Sequence, residues 1–344
     1  MSPSTPFRVV IVDDSAFFAM RLANRMTQRG WEVSARLSSG LAAVHEIPHL
    51  NPDLVVMDLV MPGMNGIATL QVLRKTWQGP IVMMSAYSDE AMRNTWLALD
   101  AGAQDFVAKP GPGQSLDDML DHLVSYREDE RPRGEPVVGR SSLCRAGVRN
   151  RKVRAVVIGA STGGPKAVSL LCAAIKETPR VPIFIVQHMP AGFTRSFAER
   201  LAGVLGSPVF EAAPDGTRMP LKTAPVVVAA GGFHLRVSAT ECWAEPGDRR
   251  NGVIPSVDVT LVDVATAFGA ESAAVIVTGM GSDGAEGARA VRQAGGTVVV
   301  ESKESALVWG MPGVVAERGD ADAIWPLPEI GHWLSQVVTR NHGS

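Results

Sequence analysis

Residues 156–168 read VVIGASTGGPKAV, an apolar strand that runs into a glycine-rich turn and then into a helix. Doubly wound α/β sheets are built from that unit, and it places Ser161 where the strand gives way. Gly159, Ser161 and Gly163 have the spacing G-x-S-x-G. Small neighbours let a sharp turn hold the hydroxyl clear, and the N-terminus of the following helix offers unpaired N–H groups to a developing oxyanion. Glycine-rich turns of this kind also cradle phosphates. Here no G-x-G-x-x-G is present, and a Walker loop needs lysine where Pro165 stands.

The alternation extends in both directions. VPIFIVQH (181–188), APVVVAA (224–230) and SAAVIVTGM (272–280) read as further strands, and FTRSFAERLAGVL (193–205) as an amphipathic helix. This half predicts a doubly wound, mostly parallel α/β domain. From Phe7 to Tyr126, the runs RVVIV, WEVSARL, DLVVMD, PIVMMS and DFVAKP alternate with helix-length segments. They predict a flavodoxin-like, doubly wound sheet of five parallel strands, with its active crevice beyond the strands' carboxyl ends. Between the halves, REDERPRGEPVVGRSSLCRAGVRNR crowds charge with proline and glycine and loses apolar periodicity. Residues 127–152 therefore read as a linker between domains at 7–126 and 153–340.

Bulk properties bound the function. A chain of 344 residues with 46% hydrophobic and 20% charged side chains is ordinary globular protein. A net charge of -2 gives no support to nucleic-acid binding through a dominant basic surface. Cys144, Cys172 and Cys242 are odd in number and lack metal spacing, which argues against a disulfide framework or zinc and for a reducing compartment. Asp13 and Asp14 interrupt the apolar run Val9–Val12, unlike a signal peptide, and no segment has the apolar length of a membrane span. A cytoplasmic protein without membrane insertion is expected.

Polar residues converge at the strand ends of the first half. Asp13 and Asp14 follow the first strand, Asp58 ends the third, Ser85 the fourth and Lys109 the fifth. Three carboxylates brought together repel unless a hard cation joins them, so Asp13, Asp14 and Asp58 predict a Mg²⁺ site. Asp58 could then attack a phosphoryl group, with Lys109 and the Ser85 hydroxyl meeting the incoming charge.

In the second half, strand ends bring Ser161, His188 and Asp283 to one edge. Ser would attack an acyl carbon, His take and return the proton, and Asp orient the imidazole. Spacing leaves other assignments open: His234 competes as the base, and Asp258 and Asp263 as the acid. The order Ser, His, Asp also differs from that of α/β-hydrolases, so the G-x-S-x-G spacing does not import that fold.

With these residues in place, two resemblances follow. VDDSAF, VMDLVMPGMNG, the strand ending at Ser85, and DFVAKP resemble the response-regulator receiver family. That likeness implies Asp58 as phosphoacceptor, Asp13 and Asp14 as metal holders, and Ser85, Phe106 and Lys109 as the switch relay. GASTGGP, QHMPAGFTRSFAERL, PSVDVT, TGMGSDGAEGARAVRQAGG and WGMPGVVAERG, between Val153 and Gly319, resemble the chemotaxis protein-glutamate methylesterase (CheB) family. This second likeness implies a triad of Ser161, His188 and Asp283, an oxyanion donor in the Met280 N–H, and no cofactor in the esterase half. It also implies hydrolysis of γ-glutamyl methyl esters on methyl-accepting chemoreceptors, deamidation of receptor glutamines, and a chemotaxis histidine kinase as phosphodonor. The stretch from Glu301 is more charged than the family's usual one, and Phe17 and Phe18 make the first helix bulkier; neither is expected to affect the chemistry.

Overall fold

The computed structural model describes residues 6–86, 88–111, 115–128, 148 and 151–340. The chain divides into two compact units, residues 1–130 and 131–344. In the first, strands β1 (Arg8–Val12), β2 (Glu32–Leu37), β3 (Leu54–Asp58), β4 (Ile81–Ser85) and β5 (Asp105–Ala108) alternate with helices α1 (Ala16–Gln28), α2 (Gly40–Leu50), α3 (Gly66–Leu73), α4 (Asp89–Asp100) and α5 (Asp117–Glu128). The sheet order is β2-β1-β3-β4-β5, all ladders parallel, as expected for a flavodoxin-like sheet. Four helices begin on a polar cap: Ser15, Ser39, Asn65 and Ser88 each accept the N–H three residues on. The order reverses between β1 and β3, so the ends of those strands, carrying Asp13 and Asp58, flank the crevice.

The second unit contains β6 (Ala155–Ala160), α6 (Gly164–Ala174), β7 (Ile183–Gln187), α7 (Phe193–Leu205), β8 (Phe210–Glu211), β9 (Met219–Pro220), β10 (Val226–Val228), β11 (His234–Val237) and β12 (Glu241–Glu245). It continues through α8 (Val257–Phe268), β13 (Ser272–Ile276), α9 (Ala285–Gln293), β14 (Thr297–Glu301), α10 (Met311–Glu317), β15 (Ala323–Trp325) and α11 (Leu327–Thr339). Seven strands form one parallel sheet, β15-β14-β13-β6-β7-β10-β8. Strands β6, β7, β13 and β14 are buried along their length, which explains why they read as unbroken apolar runs rather than alternating ones. From β6 the chain builds outward through β7 in one direction and later through β13 in the other. β6 is therefore the topological switch point, where parallel sheets open a crevice for chemistry.

The sequence reading differs in detail. Strands β8, β14 and β15 and the small antiparallel sheet β11-β12-β9 lie beyond the strands expected from the sequence. Helix α5 runs to Glu128 and so takes in the first two residues of the expected linker. Most of the linker expectation, including Cys144, lies outside the described residues. Cys172 and Cys242 are free and buried. Among the described residues no helix is long and apolar enough to cross a membrane.

Candidate active site

The switch-point strand β6 delivers Ser161, its neighbour β7 delivers His188, and the turn after β13, on the other side, delivers Asp283. Gly163 opens α6 with φ +75°, and a Cβ on Gly164 would lie 2.0 Å from Gln187 Oε1, so both positions call for glycine. Gln187 Nε2 donates to the carbonyls of Ser161 at 2.8 Å and His188 at 3.2 Å, tying the two segments together.

His188 Nε2 lies 2.8 Å from Asp283 Oδ2. The buried Asp283 carboxylate also accepts the Ser256 hydroxyl at 2.7 Å and the N–H groups of Val257 at 2.7 Å and Asp258 at 3.2 Å. It thus both orients an imidazole and meets the positive N-terminus of α8. Burial opposes its ionisation, but the bond and charge of His188, then Val257 N–H and the Ser256 hydroxyl, hold the carboxyl below its ordinary value. An ionised carboxylate only accepts, so Nε2 is the donor and the Nδ1 lone pair is left able to accept a proton.

The competing residues are engaged elsewhere. His234 Nδ1 accepts Ser256 N–H at 3.3 Å, and its Nε2 lies 2.9 Å from the carbonyl of Asp248. Asp263 pairs with Arg236 at 2.6 Å. Asp258 accepts Gly287 N–H at 2.7 Å and Asn251 Nδ2 at 2.9 Å; burial, then the adjacent Asp283, push its carboxyl up against the Gly287 bond.

Ser161 is 8% exposed, and its N–H donates to the Thr278 carbonyl at 3.0 Å. Among the described residues its hydroxyl is not hydrogen-bonded to His188; in unliganded sites such bonds commonly tighten only with substrate. Gly279 packs on the serine closely enough that a Cβ there would lie 2.7 Å from Ser161 Cβ, and Met280 follows. Sequence reasoning missed the parts played by Gln187, Ser256 and Thr278. Ser256, a potential cap ahead of the helical run in PSVDVT, was the one that carried a signal.

In the first unit, Asp13, Asp14 and Asp58 each offer a carboxylate oxygen, all within 4.8 Å of one another. Lys109 Nζ bridges Asp13 and Asp58 at 2.7 Å to each, with the Phe18 ring centroid 4.8 Å away. Burial raises the Asp58 carboxyl above its ordinary value; Lys109 works against that shift and Asp13 adds to it. A cluster of hard oxygen ligands with one compensating ammonium fits a small divalent cation. Ser85 is buried beside the crevice, accepting the Thr95 hydroxyl at 3.0 Å, and Phe106 stacks edge-on against Trp96 with centroids 5.6 Å apart.

Comparison with known proteins gives the family of each unit. Residues 156–334 match the family model described as CheB methylesterase, and residues 9–121 the response regulator receiver domain. A Thermotoga maritima protein named protein-glutamate methylesterase/protein-glutamine glutaminase is 36% identical, covering 96% of this chain and 98% of that protein. A protein of the same name from Archaeoglobus fulgidus is 34% identical over 96% of this chain and 98% of its own length. The crystal structure of the Thermotoga maritima CheB methylesterase catalytic domain is 39% identical, covers 54% of this chain and all of that chain, and superposes with a TM-score of 0.50.

Proposed function

The chain belongs to the CheB methylesterase family and carries a response regulator receiver domain, and from that premise we propose a cytoplasmic, phosphorylation-controlled protein-glutamate methylesterase acting in chemotactic adaptation. Its substrates are γ-glutamyl methyl esters of methyl-accepting chemoreceptors, and receptor glutamines that it deamidates. The observation that carries the reading is the 2.8 Å bond between His188 Nε2 and Asp283, beside the strand end that presents Ser161.

Ser161 Oγ attacks the ester carbonyl carbon while its proton passes to His188 Nδ1. The Met280 N–H and the N-terminus of α6 receive the oxyanion. The intermediate collapses, the carbon–methoxy bond breaks, and the proton on Nδ1 leaves with methoxide as methanol. Water then attacks the acyl-serine, giving its proton to Nδ1; Ser161 is released protonated and the receptor glutamate is free. With a glutamine substrate the leaving group is ammonia. Asp283 holds the imidazole and stabilises its charged form throughout.

In the receiver, residues 7–126, Asp58 accepts the phosphoryl group from a chemotaxis histidine kinase, with Lys109 meeting its charge and Ser85 and Phe106 relaying the change. Asp13, Asp14 and Asp58 would hold Mg²⁺, which supplies charge neutralisation when bound. Residues 127–152 join the receiver to the esterase domain at 153–340. Methanol release from methylated receptor, measured with and without a phosphodonor, tests the reading. Release by wild type, stimulation by phosphodonor, and loss of release in Ser161→Ala are expected; a wild type that binds receptor without releasing methanol would sink it.

A further inference from the structure

Strand β14 ends in a carboxylate that the chemistry above leaves unused. Glu301 is 1% exposed. Its Oε2 accepts Thr278 N–H at 2.8 Å, its Oε1 accepts the Ser305 hydroxyl at 2.7 Å, and its carbonyl accepts the Trp309 indole N–H at 3.0 Å. Thr278 is the hinge of the serine's surroundings. Its carbonyl accepts Ser161 N–H at 3.0 Å, while its hydroxyl donates to the Thr162 carbonyl at 2.8 Å and accepts Val308 N–H at 2.9 Å. Next in the chain, the Gly279 carbonyl accepts Gly310 N–H at 3.1 Å and Met311 N–H at 2.7 Å, and Met280 follows.

We propose that Glu301 is a positioning residue for the esterase reaction: as a carboxylate it clamps Thr278, and through it the Met280 N–H against Ser161, and a proton on Glu301 loosens that clamp and slows turnover. The proposal rests on the roles given above to Ser161, His188 and Met280.

The donors around Glu301 suit its charged form. Thr278 N–H can only donate. The Ser305 hydroxyl accepts Leu327 N–H at 2.9 Å, which leaves its one proton for Glu301. A proton on Glu301 makes Ser305 turn round and reduces the Thr278 bond from charge-assisted to neutral, roughly half the strength. Burial pushes the carboxyl up to about 7, against the lowering bonds from Ser305 and Thr278, which puts this change near neutral pH.

No ion pair reaches Glu301 among the described residues. Thr278 faces it from beyond β13, Trp325 pairs with it from β15, and Ser305 and Trp309 come from its own following turn. Of the nearby charges, Lys303 and Glu304 are exposed, with Lys303 Nζ 5.9 Å from the Trp309 centroid. Asp322 sits toward the opposite end of β14, accepting Val298 N–H at 3.0 Å and paired with Arg151 at 3.5 Å. The site's own ionisable side chains, His188 and Asp283, are paired with each other at 2.8 Å.

Glu301→Gln separates charge from shape, because its amide offers a carbonyl to Thr278 and an NH₂ to Ser305 but takes up no proton. Methanol release by full-length wild type and E301Q, both held with an acyl-phosphate phosphodonor, is measured from pH 6 to 8. Taking the ratio of the two rates cancels any pH dependence that the two proteins share. The ratio of kcat for E301Q to wild type is expected to rise about three- to tenfold from pH 8 to pH 6, with KM unchanged, as the wild-type carboxylate is lost. A ratio independent of pH overturns the proposal. Ser161→Ala assayed alongside keeps the two readings apart. Release that persists in S161A, or is missing in wild type, defeats the esterase reading and this proposal with it. Controls that behave, with a flat ratio, defeat the Glu301 proposal alone.

Discussion

Asp283→Asn probes the site most directly. In the wild type, Oδ2 accepts His188 Nε2 at 2.8 Å and Val257 N–H at 2.7 Å, while Oδ1 accepts the Ser256 hydroxyl at 2.7 Å and Asp258 N–H at 3.2 Å. An asparagine must put its NH₂ in one of these two places. At Oδ1 it opposes only the longer Asp258 bond, because the Ser256 hydroxyl can turn to accept. The carbonyl therefore stays toward His188 and the tautomer is kept, so the loss is one of charge. At the 2.8 Å separation and an effective dielectric of about 20, imidazolium and carboxylate attract by about 6 kcal/mol, or about four powers of ten in rate. The amide dipole retains part of that, so kcat should fall by about 10³ to 10⁴ with KM little changed. Steady-state methanol release gives both constants, and the melting temperature confirms that the variant is folded. Adding Ser161→Ala to it should cost much less than S161A costs alone, because triad members act as a unit. A folded D283N retaining more than a tenth of wild-type kcat would refute the assignment of Asp283 as the acid.

Asp58→Asn should abolish stimulation by a phosphodonor while leaving the unstimulated rate, and chelation of divalent cations should do the same to wild type; methanol release with and without acyl phosphate measures both. Gln187→Leu removes the ties to the Ser161 and His188 carbonyls and leaves them without that donor, so about 1–3 kcal/mol of stability should be lost together with a fall in kcat, read by denaturant melts and turnover. Deleting residues 1–150 should raise basal methanol release if the receiver acts by restraint; lower activity in a well-folded truncation would mean that the phosphorylated receiver contributes a productive arrangement instead.

Much of this was legible in the sequence because buried parallel strands announce themselves as unbroken apolar runs and end in the polar residues they deliver. Ser161, His188, Asp13 and Asp58 all sit at such ends. The three-stranded antiparallel sheet was not, since β9 has only two residues and β12 buries the small Cys242 and Ala244 while the larger Trp243 between them is half-buried, which blurs the alternation in the sequence. The choice among acids was closed too: what distinguishes Asp283 is Ser256, Val257 and Asp258, which approach it from a distant segment. Glu301 misled for a related reason. Its neighbours Lys303 and Glu304 are exposed, so the stretch reads as charged surface, yet the end of β14 carries Glu301 inside. The expectation that this charge leaves the chemistry untouched is the one the further proposal reverses.

The position of β6 between strands added early and strands added late has a consequence for biogenesis. Ser161 and His188 come from successive strands, but Asp283 lies 95 residues beyond His188 and docks only when β13 closes the other side. Such distant pairing is the slow part of assembly, since loop closure precedes its reward. A nascent or partly refolded chain would already expose a serine and a histidine without being a competent hydrolase, so that hydrolytic activity emerges late, as a stamp of completed folding.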